Sequence, residues 1–221
     1  MFAASKGTNF IRNRVAVRAV ASQQNSGDSK TLIILRPTGA TAGDTLVVFA
    51  GSDTASANWA PSSANWVEIT DGDLSKPAML AAYRVLSAGD AAVTDFTFSS
   101  SVSTARLGGS IVAVQDGTYY ANSGLNSANT GNTTATALAV QSNYNQTLML
   151  TCFINSGASA GVAFSTPTNM SAVAVNSDDL RPTWSIFSQY VGAADTGVRL
   201  SVANLNGGDL VDAITLLFKP N

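Results

Sequence analysis

Apolar and polar residues alternate in short runs along this chain, and the runs are separated by Gly, Ser, Asn, Asp and Pro. Val15, Val17 and Ala19 alternate with Arg14, Ala16 and Arg18, the period-2 signature of a half-exposed strand. Phe96 and Phe98 alternate with Asp95 and Thr97 in the same way, and Ile214, Leu216 and Phe218 share one face of a final strand. Leu32–Leu35 and Leu46–Phe49 are unbroken apolar runs, which predicts central strands covered on both faces. No long stretch carries apolar residues at helical spacing between good caps. The pattern predicts an all-β fold.

The chain also repeats itself in order. Thr45-Leu46-Val47-Val48-Phe49 matches Thr147-Leu148-Met149-Leu150-Thr151, and Pro61 through Asn65-Trp66 matches Pro167 through Asn169-Met170. Pro77 and the strand to Tyr83-Arg84-Val85 correspond to Pro182 and the strand to Tyr190. Ser87 to Asp90 parallels Val191 to Asp195, and Ile111–Val114 aligns with Ala213–Leu216. Two related sets of about four strands fit one two-sheet antiparallel sandwich, jelly-roll-like, because each set alone would leave an apolar face in water. The halves span about 31–116 and 137–219, within a single domain over 15–221. Residues 117–136, rich in Gly, Asn, Ser and Thr around Tyr119-Tyr120, are expected to form a connecting loop, and residues 1–14 a basic arm.

Composition narrows the chemistry. The chain has 221 residues, 45% of them hydrophobic and only 12% charged, so its surface is built from uncharged polar side chains. Histidine is absent and Cys152 is the single thiol, which excludes internal disulfides, His- or Cys-based zinc sites and His-dependent triads. Cys152 lies in the apolar run Leu148–Ile154 and reads as a small buried hydrophobe. Charge is uneven. Residues 1–36 carry Lys6, Arg12, Arg14, Arg18, Lys30 and Arg36 against Asp28, while the rest of the chain is acidic. That density falls short of a nucleic-acid-binding patch, so no nucleic acid is expected as partner. No apolar run approaches the ~18 residues of a membrane span. Arg12, Arg14 and Arg18 interrupt any signal-peptide core, so synthesis in the cytoplasm without a signal is expected.

Few constellations carry chemistry. Asp71-Gly72-Asp73 and Asp178-Asp179 could offer oxygen ligands to calcium, but both read more simply as turns, and no metal or cofactor is expected. No motif supports a glycosidase carboxylate pair or a Ser–Lys nucleophile, and the chain is read as a non-enzyme. Trp66 and Trp184 fall at strand-like positions and are expected in the core. Trp59, in the polar segment Ser52–Asn65, and Tyr119 and Tyr120 are the candidates for exposed rings that contact a glycan.

Ile33-Ile34-Leu35-Arg36-Pro37, Ala42 to Val48, Asn65-Trp66, Met79 to Val85 and Gly109–Val114 together form a pattern, closed in the second half by Ala213 to Pro220. Over about residues 15–220 it resembles the β-sandwich structural proteins of tailed-bacteriophage virions, of the capsid decoration (cement) or tail-component type. That resemblance implies a jelly-roll-like sandwich that binds the major capsid protein or another virion protein, as a homo-oligomer with a trimer favoured. It implies a location on the phage particle surface, with Arg12, Arg14 and Arg18 as capsid contacts. The alternative it leaves open is a carbohydrate-binding or adhesion component of a tail or fibre.

Overall fold

The computed structural model describes residues 14–54, 58–61, 65–71, 79–103, 105–129, 134–155, 161–178, 180–202 and 210–221. The first half contributes β1 (Ala16–Gln24), β2 (Thr31–Leu35), β3 (Thr45–Ser52) and β4 (Trp59–Pro61). It continues with β5 (Val67–Asp71), β6 (Met79–Val85), a 3-10 turn at Ala88–Ala92, β7 (Asp95–Ser100) and β8 (Leu107–Gln115). The second half contributes β9 (Gly117–Asn122), β10 (Asn126–Asn129), β11 (Thr134–Ala137) and β12 (Thr147–Asn155). It closes with β13 (Ser171–Asn176), β14 (Thr183–Val191), β15 (Arg199–Val202) and β16 (Leu210–Pro220). The all-β expectation holds.

The two halves build separate large sheets. One runs β1-β8-β3-β6-β5 and the other β10-β16-β12-β14-β13, with β9 also on β16, and the pairings within both are antiparallel. Strands matched in the sequence hold corresponding places: β3 with β12, β6 with β14, β8 with β16. Registers agree as well, since Thr45 faces Val85 and Thr147 faces Val191. Asn65 and Asn169, which precede β5 and β13, both take positive φ, at 77° and 63°. Asn tolerates that region better than other side chains, so the same turn chemistry recurs in each half.

The layers number more than two. Val47, Phe49, Met79, Val112 and Val114 of the first large sheet pack against Leu150, Cys152, Trp184, Ile214 and Leu216 of the second, which makes the central core. The opposite faces are covered separately. Leu32, Ile34, Phe96 and Phe98 of a three-stranded sheet β2-β7-β4 cover Leu46, Val48, Leu80 and Ile111. Ala135 and Ala137 of the β11-β15 pair lie over Met149, Phe153 and Leu217, together with Val162, Phe164 and Met170. The reason lies in β3 and β12, where every residue is buried. A strand that is apolar on both sides needs a layer on each side, so the facing pair of large sheets required two further covers.

Two expectations are corrected by this arrangement. Leu32–Leu35 is not a central strand: β2 lies in the outer cover, where Leu32 and Ile34 are buried while Ile33 and Leu35 are 51% and 64% exposed. Nor is 117–136 simply a loop. β9 and β10 run in succession along the 11-residue β16, which leaves Ser123–Leu125 as the bend between them. The segment is anchored at Gly117, where a Cβ would lie 2.4 Å from Val15 Cγ2 and whose carbonyl accepts from buried Thr45 Oγ1 at 2.6 Å. Its low charge and small polar residues misdirect a composition-based reading, since Ser, Thr and Asn occupy strands wherever a neighbour supplies the ladder.

Bulges mark the outer strands. β1 shifts register between Val17 and Ala19, β5 between Glu68 and Thr70, and β13 between Ala172 and Ala174. Such shifts twist an edge away from further strand pairing.

Candidate functional site

The aromatic candidates do not form a platform. Trp59 pairs through β4 with β7 and is only 4% exposed, within the core beneath the three-stranded cover. Its polar neighbours in sequence hid that placement. Tyr119 and Tyr120 are half-buried and, as successive strand residues, serve different cores. The Tyr119 ring lies tilted against those of Tyr83, at 4.8 Å, and Phe218, at 6.0 Å; its hydroxyl accepts from Asn122 Nδ2 at 2.7 Å, and burial raises its phenol pKa. Tyr120 donates to Ser142 Oγ at 3.0 Å and meets the edge of Tyr144. Trp184 is fully buried, as expected, while Trp66 is half-buried with its ring against Phe96 and Phe98.

The basic candidates are divided. Arg12 lies outside the described residues. Arg14 is exposed and sits 3.5 Å over the ring of Tyr190, which ties the start of the body to the second half. Arg18 is the residue bulged out of β1, and its Nε reaches Asp44 Oδ2 at 2.8 Å. Asp44 is buried and also accepts from the Thr41 N–H at 2.8 Å. Both arginines therefore belong to the folded body, and neither extends freely from it.

The acidic candidates are equally dispersed. Asp71 ends β5, and residues 72–73 and 179 lie outside the described residues. Asp178 is exposed, and its N–H donates to Asn176 Oδ1 at 3.0 Å. Among the described residues no three His, Cys, Asp or Glu side chains converge as a metal site would require. Gly108-Gly109 follows Leu107 at the start of β8 and serves packing. A Cβ on Gly108 would lie 2.6 Å from Trp184 Cζ3, and one on Gly109 would lie 2.3 Å from the Phe49 carbonyl oxygen.

Two buried groups are chemically perturbed. Burial, and then the nearby Asp212, push the Cys152 thiol well above its usual pKa, so it is held protonated. Asp212 itself is buried, and desolvation lifts its carboxyl to about 7, with Ser127 on the paired strand pulling the other way.

Two surface features remain as candidate sites. The first is the outer face of the three-stranded cover, where Ile33 and Leu35 form an exposed apolar row beside Thr97 and Asp95. On the opposite side of the stack, Leu138, Val198 and Leu200 are exposed at 40%, 51% and 54% around the β11-β15 pair. The second is a cleft of about 400 Å³ at the seam between the large sheets, lined by Ser22, Gln24, Asn176, Asp178, Leu180 and Trp184 among others. Sequence reasoning missed Gln24 and Asn176. They lie far apart in the chain, and only the packing of β1 near β13 brings them together.

No protein-family model, curated protein or solved structure matches this chain.

Proposed function

We propose that this chain is a non-enzymatic structural protein of a tailed-phage particle, a capsid decoration protein that binds the outer surface of the head and stabilises it. On this reading the two facing large sheets are the jelly-roll-like sandwich, and the covers on either side of it meet the lattice and the solvent.

The observation that carries the reading is the exposed row of Ile33 and Leu35 on a sheet face. Ile33 pairs with Thr97 and Leu35 with Asp95. Apolar side chains at i and i+2 of a strand stand side by side, and such an exposed row, bordered by Thr97 and Asp95, is suited to contact with a partner. The bulged outer strands argue against growth by edge pairing and in favour of docking through faces. The partner is the major capsid protein, and the favoured assembly is a trimer at a local three-fold position of the lattice.

Sedimentation of particles with added protein, followed by immunogold electron microscopy, tests this. Wild-type protein should travel with the particles and label the heads. Ile33→Lys with Leu35→Lys should fold normally, because both side chains already face water, and should bind at least tenfold more weakly. Label confined to the tail tip would move the role to host attachment. A chain that stays in the slow soluble fractions has no place on the virion.

A further inference from the structure

We propose that the seam cleft is a binding site for a neutral saccharide. This inference stands independently of where on a particle the chain resides, because it rests on the cleft alone.

The cleft opens where β1 of one large sheet passes β13 and the start of β14 of the other. Its polar groups are joined in series. The Asp178 N–H donates to Asn176 Oδ1 at 3.0 Å, Asn176 Nδ2 donates to Gln24 Oε1 at 2.9 Å, and Gln24 Nε2 donates to the Pro182 carbonyl at 2.8 Å. A backbone donor at one end and a backbone acceptor at the other fix which way each amide points. Every amide in the series then retains one N–H and one lone pair for a ligand. On the floor, the buried Trp184 Nε1–H donates to Ser110 Oγ at 2.7 Å, which is in turn 2.7 Å from Ser22 Oγ. The result is a set of donors and acceptors held before any ligand arrives, which reduces the ordering cost of binding.

The class of ligand follows from what lines the cleft. Among the described residues that line it there is no lysine or arginine, and Asp178 brings a carboxylate, so the lining offers phosphate, sulfate and carboxylate ligands repulsion rather than attraction. Gln24, Asn176 and Ser22 both donate and accept, as the hydroxyls of a sugar do. Val175 and Leu180 supply apolar surface to the same cleft, suited to the C–H face of a pyranose ring, above the buried Trp184. A volume of about 400 Å³ falls within the range of roughly 300–1,000 Å³ usual for small-molecule sites. A second cleft of about 600 Å³ adjoins it at Gln23 and Gln24, and contains Asn25, Ser26, Asp28 and Ser29. An oligosaccharide longer than one or two rings would continue across the end of β1 into it.

The probes are neutral methyl glycosides and neutral oligosaccharides on a glycan array, with each hit titrated by calorimetry against the full-length chain. At least one neutral glycan should bind, and Asp178→Asn and Gln24→Ala should each weaken it at least tenfold. Asp178 is exposed, so its variant should keep the wild-type melting temperature and guards the result against a folding defect in Gln24→Ala. Silence across the array at millimolar glycan overturns the proposal. So does a hit whose affinity both substitutions leave unchanged, or a preference for sulfated or phosphorylated glycans.

Discussion

Trp184 of the second half donates its indole N–H to Ser110 Oγ of the first at 2.7 Å, in a fully buried contact. The same ring covers Gly108, where a Cβ would lie 2.6 Å from Cζ3. One side chain thus closes the seam by a hydrogen bond and by a close approach to backbone. Trp184→Phe removes the donor and should cost about 1–2 kcal/mol. Gly108→Ala forces the ring to move and should cost about 1–3 kcal/mol. Because the smaller Phe ring vacates the space that the new methyl needs, the double variant should be less destabilised than the two single costs added together. Urea denaturation of the four proteins reads this directly, and strict additivity would show that the close contact is not felt.

Arg84 is buried between the first large sheet and its cover, 2.6 Å from Asp90 Oδ1 and 5.2 Å over the ring of Phe96. Asp90 also accepts from the N–H and hydroxyl of Ser87, each at 2.8 Å, and the backbone bond is the main cause of its lowered pKa. Asp90→Ala removes one charged partner of the buried guanidinium and should cost about 1–3 kcal/mol. Arg84→Met together with Asp90→Asn removes both charges while retaining the bulk, and should recover most of that loss. Thermal melts of the single and double variants decide the matter, and a double variant weaker than Asp90→Ala would contradict it.

The strands and their repeat were legible in the sequence because the chain spends its apolar residues at period 2, or in unbroken runs, and marks turns with Asn, Gly and Pro. Asn65 and Asn169 show how far this goes: two matched residues adopt the same left-handed turn. The number of layers was not read correctly: the repeat points to one two-sheet sandwich, whereas the unbroken apolar runs of β3 and β12 require a further cover on each outer face. The placement of the covers was not legible either, because Leu32–Leu35 reads alike whether one face or both are covered. The candidate cleft was illegible for a different reason. Gln24 and Asn176 are ordinary strand residues until tertiary packing joins them, and no local spacing records that meeting. Trp59 misled because its segment is polar while the ring itself is core.

Cys152 gives a direct report on opening of the central core. It is buried, and its thiol pKa is raised well above the usual value by desolvation and by Asp212. Thiolate, the reactive form, is therefore scarce even at alkaline pH. A thiol reagent should leave the folded chain unmodified for hours and react at once in denaturant. The native-state rate should rise in Trp184→Phe, in step with the lost seam stability. Rapid labelling of the native wild-type chain would place Cys152 at the surface.

Asp212 should make stability fall as pH rises. Its carboxyl is raised from the ordinary value of 3.8 to about 7 in the folded chain, because burial disfavours the charged form. Between those two values the folded chain binds a proton that the unfolded chain has released. Stability from this group is therefore fully present below about pH 4, falls as pH rises toward 7, and does not change further above that. A shift of this size corresponds to a loss on the order of 4 kcal/mol across the window. Asp212→Asn keeps the shape and cannot ionise, so it should flatten the profile and leave the variant more stable than wild type at pH 8, with little difference at pH 4. Denaturant midpoints at half-unit pH intervals from 4 to 8 test this. A wild-type profile that does not fall over that range, or an Asn variant no more stable at pH 8, would show that Asp212 is ionised at little cost within the fold.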